Sequence, residues 1–272
     1  MVPKRLADTT LNCKDGTLGA AIEFRNLSIA SPQGRPMLRD ISLALEEGTT
    51  TAVLGRSGSG KSTLLRSVNR LVEAANGDVQ VRGESVQDCD VIALRRSMGY
   101  VIQETGLFPH FDVERNVGLA LEVAGRPREE RGRRSHELLS MVGLDPDEFA
   151  QRFPHQLSGG QRQRVGLARA FAGEPEILLM DEPFGALDPL TRAEMQDMLR
   201  ELLTRPKRTV VVVTHDLNEA LYLGDRIVLL SEGRLVAHLD PADFMRSRHP
   251  EIEAYVKAFR RDERNGSAWV RP

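Results

Sequence analysis

Gly55-Arg56-Ser57-Gly58-Ser59-Gly60-Lys61-Ser62-Thr63 follows the apolar run Thr51-Ala52-Val53-Leu54 and leads into Leu64-Leu65-Arg66-Ser67-Val68. The order reads as strand, phosphate loop, helix. Three glycines let the backbone turn tightly and aim successive N–H groups inward, and the positive end of the following helix completes a concave anion site. Lys61 adds a full charge near the β and γ phosphates of a nucleoside triphosphate, and Ser62 offers a hydroxyl to Mg²⁺. This is a complete GxxxxGK[ST] pattern in its expected context. A Gly/Ser-rich surface turn with a chance lysine would lack the flanking strand and helix.

Composition sets the limits around this stretch. The chain has 272 residues, 40% hydrophobic and 28% charged, which suits one large domain or two small ones with a real core. A formal net charge of −2 argues against nucleic-acid binding through a bulk basic surface. No apolar run approaches the roughly 20 residues that cross a bilayer, and the opening Met1-Val2-Pro3-Lys4-Arg5-Leu6-Ala7-Asp8 carries no signal-peptide apolar region. The expectation is a chain that stays in the cytosol. Cys13 and Cys89 are far apart and fit no CxxC or metal spacing, so both read as reduced thiols.

Residues 1 to about 20 mix polar and small types without periodicity and are expected to form a loose tail. Period-two alternation in Ala21 to Ile29 and in Ile41 to Leu45, with Ser31-Pro32-Gln33-Gly34 as a turn, predicts antiparallel strands beside the nucleotide site. Asp78 to Gly83 is a further strand and turn, and Met98 to Ile102 a buried strand ending at Gln103. From Gln103 the pattern becomes helical as far as about Pro154: Val113 to Ala124 behind the cap Asp112, the arginine-rich Arg128 to Met141, and a short helix around Asp145 to Arg152. The run of Arg128, Arg131, Arg133 and Arg134 reads first as a solvated helix face and, as the sharper alternative, as contact with anionic lipid or a partner. Strand and helix then alternate: helix Gln161 to Ala172, strand Ile177 to Met180, helix Leu190 to Leu203, strand Thr209 to Val213. Short apolar runs between helices fit a parallel sheet covered on both faces. A helix from Asp216 to Leu223 and a hairpin around Ser231-Glu232-Gly233 follow. Helices from Ala242 and Pro250 close the chain, with Arg261 onward expected to fray.

Two further motifs narrow the chemistry. Ile177-Leu178-Leu179-Met180-Asp181-Glu182-Pro183 sets a carboxylate at the C-terminal end of a buried strand with a second one beside it, so Asp181 can hold the metal shell and Glu182 can polarise an attacking water. Leu157-Ser158-Gly159-Gly160-Gln161-Arg162 is a second Gly-rich turn entering a helix, a second anion site in one chain. By these motifs, from about Ile22 to Phe259, the chain resembles the nucleotide-binding subunit of ATP-binding cassette (ABC) transporters. The resemblance implies a P-loop NTPase α/β fold: a RecA-like core around a mostly parallel sheet, an antiparallel β subdomain, and an inserted helical subdomain of about residues 104 to 160. The whole cassette would span residues 21 to 260, with tails at 1 to 20 and 261 to 272.

The resemblance also implies roles. Ser158, Gly159, Gly160 and Gln161 would close over the γ-phosphate of ATP held by a partner copy, comparable in effect to an arginine finger. Gln103 would sense Mg²⁺ and the lytic water, Asp188 in Ala186-Leu187-Asp188 would lie in the loop through which two copies communicate, and His215 would contact the γ-phosphate and steady Glu182. Catalysis thus falls to Glu182, His215, Gln103 and Lys61, metal binding to Ser62, Gln103 and Asp181, and nucleotide binding to residues 55 to 63 and Asp188 with the partner's 158 to 161. The aromatic residue that many members place in the first turn is missing from Ile29-Ala30-Ser31-Pro32. Adenine recognition is left open between a weaker contact and one from apolar groups.

The loop Val101 to Phe111 and the stretch Met180 to Arg192 look most like those of importers of glycine betaine, choline and carnitine. These residues face nucleotide or membrane subunit, so they indicate cargo by kinship only, and importers of amino acids, nitrate or sulfonates are the alternative. A non-transport cassette ATPase is disfavoured, because neither a long coiled-coil interruption nor a second cassette is present, and a guanine-nucleotide switch would want an NKxD motif. The expected assembly is a homodimer with two Mg·ATP, on the cytoplasmic face of the membrane. It would dock on permease subunits through Leu107, Phe108 and Phe111, with a solute-binding protein as indirect partner and no nucleic acid.

Overall fold

Period-two alternation becomes two long antiparallel strands, β1 (Ala20–Ala30) and β2 (Pro36–Glu46), before the chain enters β3 (Thr50–Leu54) and α1 (Lys61–Val68). The computed structural model describes residues 19–103, 106–185, 187–204 and 208–266. Cys13, the expected N-terminal tail to residue 18, Glu104, Thr105, Ala186 and residues 267–272 lie outside them. The strands β4 (Asn76–Val81) and β5 (Glu84–Ser85) complete a four-stranded antiparallel sheet in the order β2-β1-β4-β5. A helix with no counterpart in the sequence reading follows, α2 (Val91–Arg96), capped by Asp90, whose carboxylate accepts from Ala93 N at 2.7 Å. Six residues are too few for helical periodicity to emerge.

After β6 (Met98–Val101) come α3 (Val113–Val123), α4 (Arg128–Met141), α5 (Pro146–Phe149) and α6 (Gly159–Phe171). Then β7 (Ile177–Asp181), α7 (Pro189–Thr204), β8 (Thr209–Thr214), α8 (Leu217–Leu223), β9 (Arg226–Ser231), β10 (Arg234–Leu239), α9 (Pro241–Arg246) and α10 (Pro250–Gly266) complete the chain. The second sheet has the order β10-β9-β3-β8-β7-β6, parallel throughout except for the β9-β10 hairpin. Alternate residues serve opposite faces: Val210 and Val212 enter one core with Leu178 and Met180, while Val211 and Val213 enter the other with Ile177 and Leu179. Both faces are thereby covered, which is why these strands read as unbroken apolar runs. The first core continues into α3, α4 and α6 through Val113, Val117, Leu138, Leu139 and Val165.

Register fixes what stands at the rim. Leu54 is level with Thr214, and Asp181 with Val213, so the phosphate loop, Asp181-Glu182 and His215 emerge side by side at the carboxyl ends of adjacent strands, where open α/β sheets bind ligands.

Three expectations are corrected. The signature helix α6 starts at Gly159 rather than Gln161, because Ser158 is already its N-cap. Helix α10 continues to Gly266, past Arg261, where polar composition predicts fraying. Of the three apolar residues expected to stand exposed near Phe108, only Phe108 does, at 41%. Leu107 packs on the core, and the Arg115 guanidinium covers the Phe111 ring at 3.8 Å. The arginine run on α4 takes its plainer reading in part: Arg131 pairs with Glu122 at 2.5 Å, and Arg134 with Glu137 and Glu174 at 3.1 and 3.2 Å.

Candidate functional site

The phosphate loop leaves β3 at a position that only glycine fits: a Cβ on Gly55 would stand 2.4 Å from Ser59 Oγ and 2.5 Å from the Leu230 carbonyl oxygen. Gly60 then takes φ +101°, in the left-handed region, and a Cβ there would lie 2.9 Å from Met37 O. Gly60 is the N-cap of α1 and has no side chain to satisfy the first-turn N–H groups, which are left for an anion. Lys61 is 5% exposed and its Nζ donates to Gly55 O at 2.8 Å and Arg56 O at 3.0 Å. Burial pulls its pKa below the ordinary lysine value, opposed by Glu182 and Asp181. Ser59 Oγ is also buried, with no hydrogen-bond partner among the described residues. A buried ammonium resting on carbonyls, an orphaned hydroxyl and free helix-start N–H groups make a cradle that fits a polyphosphate.

Asp181 has no exposed surface and is held by two donors, Ser62 Oγ at 2.7 Å and Arg66 Nη2 at 3.0 Å. A carboxylate so buried costs several kcal/mol unless its oxygens are satisfied, and these two donors do that. Arg66 lies one helical turn beyond Ser62 on α1, a partner that the sequence reading missed; the (i, i+4) spacing from Ser62 was the available signal. Glu182, next along, adopts φ +46°, a left-handed conformation rare outside glycine, and its N–H donates to Val213 O at 3.0 Å. Such local strain persists only where the surroundings impose it. It swings the carboxylate towards Gln103 Nε2 and His215 Nδ1, each 3.5 Å from Glu182 Oε2.

A cavity of about 540 Å³ opens here, lined by Arg56, Ser57, Gln103, Glu182 and His215 and, on its far wall, by Ala254, Tyr255 and Ala258 of α10. Five of the predicted residues from four distant segments therefore share one space, while the α10 wall had no motif to announce it. Ser158 to Gln161 and Asp188 do not line it. Ser158 Oγ accepts from Gln161 N at 3.2 Å and Gln161 Oε1 accepts from Ser158 N at 2.8 Å, a closed capping box. The Gln161 side chain is thus engaged in its own helix start, and the open N–H groups there are those of Gly159 and Gly160. Gly159 has nothing within 4 Å of where a Cβ would stand. Asp188 Oδ1 accepts from Thr191 N at 3.1 Å, and Thr191 holds its carboxyl below the usual range. Buried Gln163 on α6 donates to Pro183 O, tying this helix to the loop after Glu182.

Comparison with known proteins agrees with this geometry. Residues 38–185 match the family profile described as ABC transporter. The choline transport ATP-binding protein OpuBA of Bacillus subtilis (strain 168) is 41% identical over 236 residues, 86% of this chain and 62% of that protein. The glycine betaine uptake system ATP-binding protein YehX of Escherichia coli (strain K12) is 45% identical over 204 residues, 75% of this chain and 66% of that protein. The chain thus spans a little under two thirds of the length of these relatives. Among solved structures, a dimeric ATP-binding cassette in a post-hydrolysis state, bound to ADP and Pi, superposes with a TM-score of 0.74 at 35% identity, covering 81% of this chain and 98% of that one.

Proposed function

The chain belongs to the ABC transporter family, and from that premise we propose that it is the ATP-binding and ATP-hydrolysing subunit of an importer for a small quaternary amine. The observation that carries the ATPase reading is the shared cavity at the strand ends, with Ser57, Gln103, Glu182 and His215 around one volume; Lys61 rests on the adjoining phosphate loop and Asp181 directly precedes Glu182. Glu182 polarises the water that attacks the γ-phosphate. His215 orients Glu182 and faces the γ-phosphate under attack, with ADP as the leaving group, and Lys61 exchanges its carbonyl partners for the β and γ oxygens.

The donor set fits magnesium. Ser62 and Asp181 present oxygens 2.7 Å apart, and among the described residues no group of three or more His, Cys, Asp or Glu could hold an ion alone, so the cation would be shared with phosphate oxygens, as Mg²⁺ prefers. Ser62, Asp181 and Gln103 are its holders here. When bound, Mg²⁺ neutralises charge on the β and γ phosphates.

Ser158 to Gly160 do not line the cavity, and the resemblance on which this reading rests gives them to a second copy, so that two chains sandwich two nucleotides. A dimer is also the form described for the solved cassettes. Permease subunits bind on the side of Phe108, the exposed ring of its loop, and a solute-binding protein completes the importer. No helix among the described residues is long and apolar enough to cross a membrane, which fits attachment through the permease. The quaternary amine is favoured by the relatives named for choline, glycine betaine and carnitine transport.

The full chain should hydrolyse ATP with Mg²⁺, and Glu182→Gln should lower kcat by about 10² to 10⁴-fold, the usual worth of a general base. A Glu182→Gln chain that turns over normally would remove that residue from its role. Uptake of labelled glycine betaine and choline by cells that express this chain together with a permease it energises tests the solute. Uptake of amino acids alone would overturn the amine assignment.

A further inference from the structure

His215 is gripped from both sides by groups that take no part in the chemistry above. Thr214, just before it, donates Oγ1 to Glu219 Oε2 at 2.5 Å and accepts Asp216 N at 3.0 Å. Asp216, just after it, caps α8 with Oδ1, which accepts from Asn218 N at 2.7 Å, and turns Oδ2 towards Arg192 Nη1 at 3.7 Å. Arg192 stands in the first turn of α7. Its Nε lies 4.0 Å from Glu219 Oε1, its Nη2 donates to Leu187 O at 3.2 Å, and its main-chain N donates to Asp188 O at 2.9 Å. One guanidinium therefore faces the loop before α7 and both flanks of His215 at once.

The arrangement is not one that stability alone would select. Glu219 is 5% exposed, and burial raises its pKa, with Asp216 pushing the same way against Thr214, Arg192 and His215. Glu219 is buried while the Arg192 side chain is partly exposed, and at 4.0 Å their attraction returns little of what burying the carboxylate costs. Arg192 Nε is buried without a hydrogen bond, so the pair is held at a distance rather than closed.

We propose that Arg192 and Glu219 are positioning residues that couple the loop bearing His215 to the loop ending at Leu187-Asp188, so that displacement of either loop displaces the other. The inference rests on the reading of His215 and of the dimer given above. In the closed assembly, a second copy pressing on Leu187 and Asp188 is felt at His215 through one side chain, which supplies coupling between the two nucleotide sites.

The test uses the full chain, with Glu219→Gln, Arg192→Ala and the double variant. Two readouts are taken: the His215 imidazole resonances, assigned by His215→Ala, and steady-state ATP hydrolysis. Expected are shifted His215 resonances in all three variants, a fall in kcat of about 10 to 100-fold with KM for ATP held within about twofold, and a double variant no worse than the poorer single one. Glu219→Gln is near isosteric and keeps an oxygen for Thr214, so loss of folding does not obscure the result. Unchanged His215 resonances, or additive losses in the double variant, would overturn the coupling. If the wild-type chain itself fails to hydrolyse ATP, the proposed function falls, and the resonance shifts still decide whether the link exists.

Discussion

A lysine with almost no exposed surface needs partners, and among the described residues the Lys61 ammonium donates to the carbonyls of Gly55 and Arg56. These are modest acceptors for a full charge, so the ammonium gains by meeting phosphate oxygens, and charge-assisted bonds are the stronger kind. Lys61→Ala should therefore weaken ATP binding at least about tenfold, roughly one lost charge-assisted bond. Calorimetric titration with a non-hydrolysable analogue measures it, and unchanged affinity refutes the assignment. Glu219 gives a pH test at the same scale. Its carboxyl titrates above the ordinary 4.5 in the folded chain, so the folded state holds the proton more tightly than the unfolded one. The stability this provides is complete below pH 4.5 and is lost as pH rises through the raised value. Glu219→Gln removes that loss, so its melting temperature should decline less than the wild type's from pH 4.5 upward. A steeper decline in the variant contradicts the burial argument.

Among the elements, α6 decides how the signature turn is presented. It crosses β6 so closely that a Cβ on Gly99 would lie 2.4 Å from Ala170 O and 2.5 Å from Leu178 Cδ2. The first is backbone and cannot rotate away, so Gly99→Ala should destabilise by about 1–3 kcal/mol, the usual range for overpacking. Urea unfolding measures it, and an unchanged midpoint would show that the helix has slack. Most element types were legible from sequence, because strands covered on both faces read as apolar runs and long helices read by period. Ends were less so: Ser158 satisfies Gln161 N through its hydroxyl, and a glycine pair inside a first turn reads as a loop until that cap is seen. The exposure of the loop at Phe108 was misread for a similar reason, since Arg115 covers Phe111 from a helix whose packing is tertiary.

At the scale of the whole molecule, one chain holds a cradle that fits a polyphosphate and the Gln103, Glu182 and His215 cluster, while its signature turn does not line the cavity they share. The proposed dimer resolves this, and it makes ATP binding favour the closed pair by differential affinity. With Glu182→Gln and Mg·ATP, sedimentation should show a chain of twice the mass that returns to monomer when ADP replaces ATP. A strictly monomeric variant under those conditions is incompatible with a shared site.

The sequence by itself determined the phosphate loop, the Asp181-Glu182 pair, the signature turn and the family, because anion binding by contiguous backbone N–H groups and a carboxylate closing an apolar strand are local properties of neighbouring residues. Only the tertiary structure decided which distant side chains meet. Gln103, Glu182 and His215 converge because three parallel strands end in register. Arg66 reaches Asp181, Tyr255 walls the cavity, and Arg192 bridges to Glu219 for the same kind of reason. Contacts of this sort depend on strand register and helix placement, and those are fixed by the packing of the two cores rather than by any one stretch of chain.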